Sequence, residues 1–176
     1  MNTFLLYLTA LRIIHIVAGT LWVGSAVSYF FFVEPTVKSL GPAAPQFMQT
    51  LIEKRRYPMF MNIASALTIV AGALLYWSTS GGFQWVWVTS GPGLGFTLGS
   101  VIALVVFGIG FFMIRPRAER LGELGKAIGA AGGPPTPEQA AELGKLGEEM
   151  TKIERVDVIL LTISLVIMAT ARYWYF

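Results

Sequence analysis

The sequence predicts an all-α, polytopic membrane protein: a four-helix bundle with a cytoplasmic helical hairpin that extends helices three and four. Three observations lead there. Of 176 residues, 55% are hydrophobic and only 13% charged, and the mean hydropathy is +0.64, a balance foreign to soluble domains. Four stretches, 10–33, 58–78, 93–114 and 156–175, approach or exceed the ~20 apolar residues that a bilayer core demands of a helix. The remainder comprises a connection at 34–57, a short one at 79–92 and a polar stretch at 115–155. None of these is large enough for a soluble domain, so residues 1–176 are expected to form a single transmembrane domain.

The first span begins with Arg12 ahead of an apolar run, as a signal peptide does, but the run is too long for a cleaved segment and reads as a retained helix. In the connection after it, Phe47, Met48, Leu51 and Ile52 follow Pro45 at helical spacing, which predicts a short amphipathic helix on the cytoplasmic leaflet. The second span carries Asn62, Ser65, Ile69, Gly72 and Tyr76 at three-four spacing, a polar and small-residue seam suited to packing on neighbouring helices. The uncharged connection STSGGFQWVWVTSG supplies Trp85 and Trp87 as an interfacial aromatic pair. In the third span Gly91, Gly95, Gly99 and Ala103 form a small-residue ladder that serves either the bundle core or a dimer.

Within 115–155, Leu121, Leu124 and Ile128 are answered by Leu143, Leu146, Met150 and Ile153, with AAGGPP between them. Thr136, Pro137 and Gln139 then supply an N-cap, an N1 proline and an N3 glutamine. The pattern predicts an antiparallel hairpin whose seven acids balance its seven bases, a solvated packing device rather than a docking surface. Lys38, Lys54, Arg55 and Arg56 lie in 34–57 and seven further Lys or Arg in 115–155. The positive-inside rule puts both segments in the cytoplasm and both termini in the periplasm or exterior of a cell's inner (plasma) membrane.

The absence of cysteine excludes disulfides, iron–sulfur clusters and thiolate chemistry, and a single histidine, His15, excludes any metal site needing two imidazoles from one chain. Although the pI is near 9.3, the basic residues flank apolar runs, so nucleic acid is not an expected partner. His15 shares one face of the first helix with Gly19, Trp22 and Ala26. An ionisable group in the membrane turns inward and finds a partner, and Gly19 leaves room for a flat macrocycle. On the fourth helix Asp157, Leu161, Ser164, Met168 and Arg172 form a stripe. Arg12 and Arg172 fall at similar depth, where guanidinium forks suit the two propionates of haem b; either also suits snorkelling to the headgroups. Among the methionines, Met168 is the candidate sixth ligand to iron, with core packing as its other reading.

The strings LRIIHIVAGTLWVGS, RRYPMFMNIASALTIVAGALLYW and LVIMATARYW resemble the copper-resistance-D-like membrane superfamily. That group includes the haem-containing bacterial J-type protoporphyrinogen oxidases and related four-to-five-helix membrane proteins. The resemblance implies that His15, in H-x3-G-x2-W-x-G, occupies a position proposed as a haem ligand in those oxidases. The chain departs from them at FFVEP, which lacks a second histidine, and no lysine lies within a span. Three functions follow as expectations: a b-type haem protein of redox chemistry or electron transfer, a haem-dependent oxidase of a porphyrinogen or other small hydrophobic substrate, or a cofactor-free accessory subunit of a larger membrane complex. Bis-imidazole ligation would require a homodimer with His15 from each copy.

Overall fold

The computed structural model describes residues 2–175, the side chain of Pro42 excepted, and no strand occurs among the described residues. Helix α1 (Thr3–Ser28) opens on Asn2, whose side chain accepts the Phe4 N–H. It runs through a π turn, Tyr29–Val33, into α2 (Glu34–Ser39). A 3-10 turn, α3 (Ala44–Gln49) and a second π turn, Thr50–Lys54, make up the first basic connection. After the left-handed Arg56 come α4 (Tyr57–Thr79), the short α5 (Trp85–Val88) and α6 (Gly91–Ile109). A third π turn, Gly110–Ile114, joins α6 to α7 (Arg115–Ala131), and α8 (Pro137–Thr170) completes the fold before a 3-10 turn at Ala171–Tyr173.

Two of the π turns have one cause. The Glu34 N–H bonds to Tyr29 O and the Arg115 N–H to Gly110 O, each reaching back five residues. Each turn lies just before a proline, Pro35 or Pro116. In a regular α-helix the proline ring would press on the carbonyl four residues back and leave it without a donor. Widening by one residue relieves the clash and lets the helix continue. The chain therefore leaves both spans as uninterrupted helix: among the described residues, Thr3–Ser39 and Gly91–Ala131, with Tyr57–Thr79, are the three segments long and apolar enough to cross a membrane.

The expected fourth span differs. In α8 the charge-free part begins after Asp157 and the helix ends at Thr170, so 158–170 covers only about 20 Å at ~1.5 Å per residue. It packs closely against α6. Ser164 Oγ donates to Gly99 O at 2.8 Å, a Cβ at Gly95 would stand 2.7 Å from Ala171 Cβ, and one at Gly99 would stand 2.9 Å from Met168 Cγ. The small-residue ladder of α6 is thus occupied by α8 of the same chain, the choice that periodicity leaves open.

Helices α1 and α4 form a second close pair, and the two pairs meet in a core of Trp22, Ala26, Ala64, Val106, Val158 and Leu161. The basic segments come together at one end of the helices, where Lys126 pairs with Glu53 at 3.4 Å and Lys38 with Thr151 at 3.0 Å. Beyond that end α7 and α8 are tied by Arg117–Glu149 at 3.1 Å and Arg120–Glu142 at 2.7 Å. Gly132, at φ 67°, stops α7, and Thr136 and Gln139 cap α8 reciprocally as the spacing predicts. At the opposite end, of the expected aromatic pair, Trp85 is 74% exposed. Trp87 turns inward, edge-on to Tyr76 and stacked on Phe96, because Tyr76 also bonds Thr97 at 2.6 Å and draws α4 and α6 together there.

Candidate functional site

His15 projects from the middle of α1 toward α4. Its Nδ1 lies 2.8 Å from the main-chain oxygen of Thr68, and since a carbonyl only accepts, Nδ1 carries the proton and donates. In the neutral ring Nε2 then keeps its lone pair. The approach is made possible by a residue on the opposing helix: a Cβ on Gly72 would stand 2.8 Å from His15 Cε1 and 3.0 Å from Nδ1. Gly72, one turn beyond Thr68, is a notch that receives the imidazole. Donation of Nδ1–H to a backbone carbonyl is how proteins orient a ligating histidine and raise the basicity of Nε2.

The other expected site residues spread over several surfaces. Gly19 faces Thr68, whose Cγ2 would lie 3.5 Å from a Cβ there, so its small size is used in the α1–α4 contact. Trp22 is buried in the core with Ala64 and Val158. Met168 fills the notch at Gly99 on α6, its Sδ 3.2 Å from where a Cβ would be. Arg12 is exposed, and the exposed Arg172 guanidinium lies 5.1 Å from the Tyr173 ring centroid, a cation–π contact appropriate to an interfacial anchor. Among the described residues no three His, Cys, Asp or Glu side chains are grouped to hold a metal ion, so ligation would rest on one imidazole.

Between α1 and α4 a groove of about 310 Å³ opens outward, lined by Ile13, Val17 and Leu21 on one side and Phe60, Ile63 and Leu67 on the other. It is wholly apolar and does not include His15.

A second polar constellation lies at the basic end. Glu154 and Asp157 are 9% and 8% exposed, and Oδ1 of Asp157 is buried without a hydrogen-bond partner. Burial, then the neighbouring Glu34 and Asp157, push the Glu154 carboxyl up to about 7, with Lys38 acting the other way. Glu34 accepts from Lys38 Nζ at 2.6 Å and from the Thr151 hydroxyl. Tyr57 donates to Ser25 O at 3.0 Å and stacks on Tyr29 at 5.7 Å.

Sequence reasoning finds His15 but not its receptor. Gly72 is legible only as part of a packing seam, and the Thr68 acceptor is main chain, which no side-chain pattern reveals. Glu34 and Glu154 read as charges of solvated connections, and only their shared burial distinguishes them. No family model, curated protein or solved structure matches this chain.

Proposed function

We propose that this chain is an integral inner-membrane protein that binds b-type haem through His15 Nε2 and acts in redox chemistry or electron transfer. The observation that carries the reading is the 2.8 Å contact of His15 Nδ1 with Thr68 O inside the notch at Gly72, since it fixes the tautomer and orientation that an iron ligand needs. Haem held there would supply a one-electron carrier. Arg12 stands three residues before His15 on α1 and Arg172 lies in the 3-10 turn after α8, and their exposed guanidiniums suit propionates. Oxidation of a porphyrinogen beside the haem is the enzymatic form of this reading, and kinship with the copper-resistance-D-like superfamily belongs to the same proposal.

In this reading α8 crosses the membrane as a fourth span, 156–175, its short apolar helix extended by the 3-10 turn and by Tyr173 and Trp174 at the interface. The α7–α8 hairpin then lies in the cytoplasm and both termini lie outside.

A cofactor-free accessory subunit is the second reading, and a specific observation favours it: the notch on α4 already satisfies the imidazole, as a purely structural histidine requires. The visible spectrum of protein purified from haem-replete cells separates the two. A Soret band that co-purifies with the chain is expected, and its position distinguishes five-coordinate iron from iron that also takes Met168 or a second His15. A colourless, folded preparation would favour the accessory reading.

A further inference from the structure

Every carboxylate buried in a low-dielectric interior must be paired, hydrogen-bonded or protonated. Glu154 and Asp157 are more than nine-tenths buried, stand three residues apart on one face of α8, and leave Asp157 Oδ1 without a partner. The groups that face them are few. The π turn after α1 brings Tyr29, α2 brings Glu34 and Lys38, and α4 brings Tyr57. The α6 residue in the adjoining core is the apolar Val106. Lys152 and Arg155 of α8 itself are exposed. Among the described residues three carboxyls therefore share one facing cation, Lys38, whose side chain is 58% exposed and which is hydrogen-bonded to Glu34. Like charges so placed do not all ionise. A metal ion does not answer the deficit, because these carboxyls do not converge as a ligand group.

We propose that Glu154 and Asp157, beside the Glu34 carboxylate, form a proton-binding site at the basic end of the helices, filled from the adjoining water. Accessibility is graded along it: the Lys38 and Glu34 side chains are 58% and 13% exposed, and the next carboxyls are closed from solvent. A proton from water adds to a carboxylate oxygen of the inner pair, beside the Glu34 carboxylate that Lys38 and Thr151 hold. The inner pair shares one proton, bonded to one carboxyl, with the other left ionised. The π turn contributes by bringing Tyr29 and Glu34 onto this face, a common use of such turns. Glu34 lies about 28 Å along the helix from His15, and the site does not depend on any cofactor there.

Infrared titration of the full chain in lipid tests the proposal through the carbonyl stretch of protonated carboxyl groups, which ionised ones lack. A band present at neutral pH, titrating near pH 7 and shifting in heavy water, is expected. It should be lost or displaced in the isosteric variants Glu154→Gln and Asp157→Asn, whereas Glu138→Gln, at an exposed carboxyl, should leave it unchanged. Glu34→Gln should lower the titration midpoint by removing a like charge. The proposal is overturned if no such band exists at neutral pH, if the band survives in the double variant, or if sodium or calcium chloride abolishes it by occupying the carboxylates.

Discussion

A methyl group at position 72 would collide with the His15 ring at 2.8 Å, whereas one at position 19 would meet Thr68 Cγ2 at an ordinary 3.5 Å. Both positions lie on the α1–α4 interface, yet they should respond oppositely to alanine. Gly72→Ala should expel the imidazole from its notch and lower stability by about 1–3 kcal/mol. Gly19→Ala should be neutral or gain up to about 1 kcal/mol from helix propensity. Thermal unfolding in one detergent measures both, and equal losses would refute the notch. Glu154 gives a second expectation at this scale. Its carboxyl is raised from 4.5 to about 7, chiefly by burial, so the folded chain binds that proton more tightly than the unfolded one. Its contribution is therefore complete below about pH 4.5 and declines as pH rises through 7. Glu154→Gln should flatten that part of the stability profile, and an unchanged slope between pH 5 and about 7 would show that the carboxyl is not the cause.

At the scale of elements, the α6–α8 pairing rests on backbone proximity that two glycines permit in different ways. A Cβ at Gly95 would meet Ala171 Cβ at 2.7 Å and its Cα at 3.0 Å, atoms that move only with the helix. A Cβ at Gly99 would meet Met168 atoms at 2.9–3.2 Å, and a flexible thioether chain can swing aside. Gly95→Ala should consequently loosen α8 more than Gly99→Ala, read as faster amide exchange in the 158–170 segment, and the reverse order would contradict this pairing. The ladder itself is legible in the sequence, as are the Thr136–Gln139 cap and the break at Gly132, because each depends on neighbours within a few residues. The π turns are not legible there, although Pro35 and Pro116 stand in plain view: proline announces that a helix must deform but not whether it stops, kinks or widens. The inward turn of Trp87 was hidden for a different reason, since it follows from Tyr76 and Thr97 meeting across two helices.

For the whole molecule, charge asymmetry makes the orientation testable. With 11 Lys and Arg between residues 34 and 155 gathered at one end, that end should face the cytoplasm. Single cysteines at Val86, 84% exposed in the uncharged connection, and at exposed Thr136 probe the two ends. An impermeant thiol reagent on intact cells should label the first and spare the second, and the opposite pattern would invert the topology. The three long apolar helices are legible from composition and length alone, because transfer into a bilayer depends on little else. A site made where helices meet is not: His15 stands out as the sole imidazole, but the carbonyl that orients it and the glycine that admits it lie more than 50 residues away. The measurement that tests the account most directly is haem titration of the purified chain and of His15→Ala, with circular dichroism showing that both remain folded. Wild-type protein should bind haem with a defined Soret band and the variant should not. Equal affinity and identical spectra in the two would contradict ligation by His15 and leave its hydrogen bond to Thr68 as a structural tie between α1 and α4.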